Sequence, residues 1–203
     1  MRPTESPYNL GLEKNAANHV ALSPLSYIER AALVYPDRLA IVYGERRQTW
    51  RDTYTRSRRL ASALAARGVG KNDTVAVMLP NVPAMFEAHF GVPMAGAVLN
   101  TLNTRLDPEA IAFMLEHGEA KVLLTDREFA SVIAKALDLL QGPRPYVVEV
   151  EDDTAPEGAY LGDTGYEAFL ATGNPQYAWA LPQDEWDAIA LNYTSGTTGN
   201  PKG

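Results

Sequence analysis

Between residues 74 and 150, short apolar runs alternate with longer segments of helical period, and no other feature of the chain restricts its fold so strongly. Residues 74–79 (TVAVML), 98–101, 121–125 and 146–150 read as strands, and residues 83–97 and 127–140 read as helices. Asp107-Pro108 opens another helix, with Asp as N-cap and Pro at the first helical position, which runs to His117 and stops at Gly118. Residues 188–193 (AIALNY) form a last apolar run, expected to be a buried strand. Strands that are apolar throughout belong to parallel sheets covered on both faces, and their alternation with helices indicates βαβ units. The expected class is therefore α/β, with mostly parallel sheet layers and helices on both faces.

The remaining segments fit around that frame. At roughly 150 residues per domain, 203 residues make one large domain or one and a half. No fixed-period repeat or low-complexity linker divides the chain. Residues 1–22 have weak periodicity and read as an extended arm, and residues 23–203 as one unit. A first helix over 24–35 has Ser23 as N-cap and Pro24 at its first position, and Pro36 stops it. Residues 39–43 and 48–50 flank Gly44-Glu45-Arg46-Arg47 and read as a hairpin. Thr49 with Asp52 three residues on forms a capping box, opening a helix that ends before Gly68. Residues 158–184 are loop-rich, with one short helix near 165–171.

Composition removes several kinds of chemistry. With no cysteine, there are no disulfides, thiolate metal sites or cysteine nucleophiles, and His19, His89 and His117 lie too far apart in sequence to suggest a histidine-rich metal site. The first twelve residues lack the apolar stretch of a signal peptide. The longest uncharged stretch, 88–104, is broken by Gly91, Pro93, Gly96, Asn100 and Asn103, so no membrane span is expected and the expected location is cytoplasmic.

Charge is uneven. Residues 1–70 carry eleven Lys/Arg against six Asp/Glu, whereas nine acids and no base lie between Glu151 and Asp187. Most of the N-terminal arginines fall on one helix, where Tyr54, Ser57, Leu60, Ala61 and Leu64 share a face and Arg51, Arg56, Arg58 and Arg59 lie away from it. They read as a solvated helix face rather than a nucleic-acid patch, and the acidic stretch as an exposed connection.

One segment carries chemistry. Directly after the last apolar run the chain reads Tyr193-Thr-Ser-Gly-Thr-Thr-Gly-Asn-Pro-Lys-Gly203. Its glycines let backbone N–H groups face an anion without a Cβ in the way, its hydroxyls add short donors, and Lys202 adds a compact positive charge. That equipment suits a di- or triphosphate. It is not a Walker A loop, which needs Gly before the Lys and Ser/Thr after it, because Pro201 precedes Lys202 and Gly203 follows. Nor is it the Gly-x-Gly-x-x-Gly dinucleotide fingerprint.

The segment resembles, at every position, the phosphate-binding signature of the acyl-adenylate-forming superfamily, which includes acyl-CoA synthetases, peptide-synthetase adenylation domains and luciferases. Residues 39–50 with the following helix, Met78-Leu79-Pro80-Asn81, and the run Gly96 to Leu106 (GAVLNTLNTRL) resemble the opening of bacterial acyl-CoA synthetases. Leu102-Asn103-Thr104-Arg105-Leu106 and Asn192-Tyr193 are most similar to medium-chain and methylthiopropionate-type CoA ligases. The likeness covers residues 23–203. It implies the first part of the large N-terminal domain of an adenylate-forming enzyme, ending at the phosphate loop. Family members are well over twice this length, so the resemblance also implies that the C-terminal domain and the catalytic residues are absent, and that the piece alone is inactive.

By that resemblance, the parent activity is an ATP-dependent carboxylate–CoA ligase, a fatty or medium-chain acyl-CoA synthetase. It forms acyl-AMP and pyrophosphate, then acyl-CoA and AMP. Thr194, Ser195, Gly196, Thr197, Thr198, Gly199 and Lys202 would hold the ATP phosphates, and Thr194 would help place Mg²⁺. ATP, Mg²⁺, CoA and a small carboxylic acid are the implied cofactor and partners, with a homodimer as the assembly and no nucleic acid. Two other readings stay open: an adenylating enzyme that loads a carrier protein, and a non-catalytic nucleotide-binding fragment. Elsewhere, His89 reads as a packed core histidine and His117 as a helix C-terminal residue. Asn81, Asn100, Asn103 and Arg105 read as loop ties at strand ends, and Asp152-Asp153 as an exposed turn.

Overall fold

The computed structural model describes residues 6, 8, 10–152, 154–155, 158–194 and 202–203. Helix α1 (Leu25–Val34) starts after Pro24, with Ser23 Oγ accepting from the Leu25 amide at 3.3 Å. Strands β1 (Leu39–Tyr43) and β2 (Arg46–Thr49) form an antiparallel hairpin. Its turn is tighter than expected, because Arg46 and Arg47 pair with Tyr43 and Val42 instead of looping out. Helix α2 (Trp50–Ala66) opens on the capping box: the Asp52 amide donates to Thr49 Oγ1 at 3.2 Å, and the Thr49 amide to Asp52 Oδ2 at 3.0 Å.

The main sheet contains β3 (Thr74–Met78), β4 (Val98–Thr101), β5 (Ala120–Asp126), β6 (Tyr146–Val150), β7 (Thr164–Gly165) and β8 (Ala190–Leu191), in the order β7-β6-β5-β3-β4-β8. Every neighbouring pair is parallel. Side chains therefore alternate between two cores. Val75, Val77, Leu99, Val122, Leu124 and Val148 face α2, α3 (Pro83–Met94) and α6 (Tyr166–Ala171). Ala76, Met78, Leu123 and Val147 face α4 (Pro108–His117) and α5 (Ala130–Leu139). Burial on both faces is why these strands are apolar at successive positions.

The α4 cap is as expected, with the Ala110 amide donating to Asp107 Oδ1 at 2.8 Å. Three boundaries differ. Helix α3 ends at Met94 because Gly96, at φ +79°, closes a Schellman cap: its amide donates to the Pro93 carbonyl at 2.9 Å and the Ala97 amide to the Val92 carbonyl at 3.2 Å. Residues Arg127–Phe129 form a 3-10 turn before α5, capped by Asp126, whose Oδ1 accepts from the Glu128 amide at 3.0 Å. The final strand is not buried: β8 is two residues long, with Ala190 exposed and Leu191 half-buried. It pairs with β4 at the sheet's margin, so one side lacks the neighbouring strand that shields β3 and β5.

The arginine-rich helix also departs from expectation. Only Arg51 is solvated as a free face would be, with 62% of its side chain exposed, against 20% for Arg56. Arg56 chelates Glu167, Arg58 Nε donates to the Tyr177 carbonyl at 2.9 Å, and Arg59 donates to the Gly173 carbonyl at 3.2 Å. The acidic segment is thus wrapped back on α2 rather than left as a free connection. Trp179 completes the wrap by donating to the Tyr54 hydroxyl at 2.9 Å. Among the described residues, no helix is long and apolar enough to cross a membrane.

Candidate functional site

Because the sheet is parallel, β3, β4, β5, β6 and β8 end on one edge, and the glycine- and threonine-rich segment leaves that edge from β8. Ser195, Gly196, Thr197, Thr198 and Gly199 lie outside the described residues. The base of the segment is described. The Thr194 amide donates to the Lys202 carbonyl at 2.8 Å, and the Lys202 amide donates back to the Thr194 carbonyl at 3.1 Å, a two-bond antiparallel bridge. Thr194 and Lys202 thereby form a closed neck. Thr194 and Lys202 are both exposed at that neck. The Thr194 hydroxyl reaches the Lys202 carbonyl at 3.4 Å, a long bond that a stronger oxygen partner would displace.

The neck is pinned to the fold by Tyr193. Its ring meets Phe113 edge-on at 6.4 Å and His117 edge-on at 5.7 Å, and its hydroxyl shares a 2.8 Å hydrogen bond with His117 Nδ1. Gly203 lies against the same ring, where a Cβ would come within 2.7 Å of Tyr193 Cε1, so a larger residue there would have to push the ring aside. Partial burial raises the Tyr193 hydroxyl's pKa.

The crossover direction reverses between β3 and β5, the usual place for a ligand crevice in an open α/β sheet. The β1–β2 hairpin faces the segments that follow β3 and β5. A cavity of about 580 Å³ lies between them, lined by Tyr43, Arg46, Pro83, Arg127 and Asp152 among others. The Tyr43 hydroxyl donates to Asp152, and Asp152 Oδ1 accepts from the Thr154 amide at 2.9 Å. Asp152 thus closes a turn and ties down the hairpin, while Asp153 lies outside the described residues. Of the asparagines, Asn103 Oδ1 accepts from the Arg105 amide at 2.9 Å, as a loop tie should. Asn100 does not act as a tie: it is buried, and neither side-chain amide atom has a partner among the described residues.

The sequence model of the AMP-binding enzyme family matches residues 28–203, nearly the whole chain and including the neck and loop. The chain belongs to this family of AMP-binding enzymes. The peroxisomal acetate/butyrate–CoA ligase of Arabidopsis thaliana is 49% identical over 95% of the chain and 36% of its own length. The acetate–CoA ligase of Humulus lupulus is 47% identical, with the same coverage of both chains. Among solved structures, the N-terminal domain of FACL13 from Mycobacterium tuberculosis has a TM-score of 0.72 at 26% identity, over 88% of this chain and 42% of that one. An anthranilate CoA ligase in complex with anthranoyl-AMP shares the fold, with a TM-score of 0.78 at 24% identity over 93% of this chain and 35% of that one. The chain spans about a third of the length of the curated relatives, 36%.

One reading of α3 in this AMP-binding enzyme needs correction. His89 is exposed and bonds the Met85 carbonyl of its own helix at 2.7 Å, so it is no core histidine. The buried polar residue of α3 is Glu87, fully shielded from solvent. Its carboxylate accepts from Gln48 Nε2 at 2.9 Å, Arg56 Nε at 2.6 Å and the Tyr166 hydroxyl at 2.8 Å. Burial, reinforced by the Glu87 charge, pushes the Tyr166 hydroxyl well above its ordinary pKa. This network joins β2, α2, α3 and α6 beside the cavity at the hairpin. The one sequence signal was a lone glutamate in the otherwise apolar run PAMFEAHFGVPM.

Proposed function

We propose that the protein is an AMP-forming carboxylate–CoA ligase: a carboxylate attacks the α-phosphorus of ATP to give acyl-AMP and pyrophosphate, and the CoA thiol then displaces AMP. The observation that carries this reading is the complete phosphate-loop sequence on a neck at the carboxyl edge of a parallel sheet, with Lys202 exposed at its base. Ser195, Gly196, Thr197, Thr198, Gly199 and Lys202 would hold the β- and γ-phosphates of ATP, the future leaving group. Such chemistry depends on positioning and charge neutralisation, and a closed neck limits where the loop can reach.

Magnesium fits only as a companion of the nucleotide. Among the described residues, no three His, Asp or Glu gather to hold a metal, and Thr194 offers one exposed hydroxyl. That suits an ion which takes most of its oxygens from water and substrate phosphates. When bound, Mg²⁺ would add charge neutralisation at those phosphates.

The relatives named for acetate and butyrate support a short acid over a fatty one. A cytoplasmic location and a homodimer belong to the proposal as well, the former set against a relative whose name places it in the peroxisome. The test is carboxylate-dependent exchange of labelled pyrophosphate into ATP by the protein of the whole reading frame, with acetate, butyrate, medium-chain and aromatic acids. Exchange with at least one acid is expected. Its absence with all of them would leave nucleotide binding without ligation as the better reading.

A further inference from the structure

The phosphate-loop neck is held to the fold by two devices. One is the β8 ladder, only two residues long, in which Ala190 and Leu191 pair with Leu99 and Asn100. A ladder this short fixes the direction of the emerging chain poorly, because each end is free to fray. The other is the Tyr193 side chain, seated on the last turn of α4.

The seat has three parts. Phe113 and His117, one helical turn apart on α4, stack at 5.3 Å and present one aromatic wall. The Tyr193 ring stands edge-on to both, an arrangement aromatic rings favour. The hydroxyl then meets His117 Nδ1 at 2.8 Å, and Gly203 packs against the ring from beyond the bridge. Tyr193 and Gly203 flank the Thr194–Lys202 pair, so both arms of the neck rest on one side chain. Among the described residues, the hydroxyl-to-imidazole bond is the only side-chain hydrogen bond between α4 and the neck. His117 itself is exposed and packs into neither core. Its contacts to Phe113 and Tyr193 are therefore best explained by what they hold in place.

We infer that His117 and Tyr193 are positioning residues for the phosphate loop. Their hydrogen bond ties the Thr194–Lys202 neck to α4, and hence tunes how well ATP is held, without touching the nucleotide. This rests on the ligase reading above and adds a residue outside the loop to it. Without the bond the neck is held by the short ladder and the packing of the Tyr193 ring alone, so less of the protein is competent to bind, and apparent affinity falls by the fraction of competent protein lost.

The test uses the protein of the whole reading frame in the pyrophosphate-exchange assay, comparing wild type, His117→Ala, His117→Asn, Tyr193→Phe and the Ala/Phe double variant. A net hydrogen bond of about 1 kcal/mol corresponds to about a five-fold effect. His117→Ala and Tyr193→Phe should each raise the KM for ATP about five-fold, leaving the KM for the carboxylate and the melting temperature unchanged. The double variant should be no worse than His117→Ala alone, because that change already removes the bond. His117→Asn, whose amide can again bond the phenol, should restore most of the loss.

Exchange in the wild type with unchanged ATP KM in both single variants overturns the inference and leaves the ligase reading intact. So does an effect that is additive in the double variant. No exchange in the wild type fails the ligase reading itself. If His117→Ala lowers the melting temperature, equal melting of His117→Asn and His117→Ala alongside restored KM still supports positioning. A KM that merely follows stability across the set overturns it.

Discussion

Removing the Glu87 carboxylate is the most demanding test of how these helices are held together. Glu87 is fully buried and accepts from Gln48, Arg56 and Tyr166. Deleting one partner of a buried ion pair costs about 3–5 kcal/mol, because the other charge is left uncompensated. In Glu87→Ala the low end applies, since Arg56 keeps its fork to Glu167 at 2.9 and 2.6 Å. Gln48 likewise keeps Thr53 Oγ1 at 3.1 Å. Tyr166 has no such reserve: its buried hydroxyl loses its acceptor, adding about 1 kcal/mol. The total is about 4 kcal/mol, and at about 2–4 °C per kcal/mol for a chain of this size the melting temperature should fall by about 8–16 °C. Glu87→Gln keeps the volume and an acceptor for Arg56, and should cost about half as much. Urea unfolding followed by circular dichroism, with thermal melting alongside, reads both. A Glu87→Ala protein within about 1 kcal/mol of wild type would refute the reasoning, because a network worth so little cannot be what joins β2, α2, α3 and α6.

Three further outcomes are expected. At Gly91 a Cβ would come within 2.7 Å of Leu60 Cδ2 and 2.9 Å of Leu60 Cβ, so Gly91→Ala should destabilise by about 1–3 kcal/mol despite alanine's better helix propensity; a stabilised variant would show that α2 and α3 can move apart freely. Burial raises the Asp126 pKa, so its native carboxylate carries a penalty that is full at neutral pH and disappears as pH falls below the unfolded value near about 3.9. Asp126→Asn should therefore raise the melting temperature at pH 7 and lose that advantage by about pH 4, whereas a pH-independent offset would assign the effect to something other than charge. Lys202→Ala should lower pyrophosphate exchange by more than about ten-fold with little change in melting temperature, because the side chain is exposed at the neck; an equal loss of folding would make it a structural lysine.

Much of this protein could be read from local signals. The capping box at Thr49 and Asp52, the Asp107-Pro108 helix start, and the strands at 98–101 and 146–150 are set by residues within a few positions of one another, and the structure repeats them. The parallel α/β class followed from strands without polar alternation. The order of glycines, hydroxyls and lysine in the loop suits a phosphate ligand, which is the proposal that the Lys202→Ala measurement tests.

What the sequence by itself determined, then, was the kind and order of elements and the presence of the Tyr193–Gly203 segment. Only the tertiary structure decided which polar groups the fold uses. Arg56 and Glu167 are 111 residues apart in sequence, and His117 and Tyr193 are 76 apart. No local pattern encodes such pairs, so Arg56 read as a solvated charge and Glu87 drew no attention. The strand at β8 read as buried because its residues are apolar, yet its exposure depends on the sheet order, which puts it at the margin beside β4. Periodicity states which side a residue presents; only chain folding brings a partner to that side, and burial of a charge or the seat of a loop neck is a property of the pair.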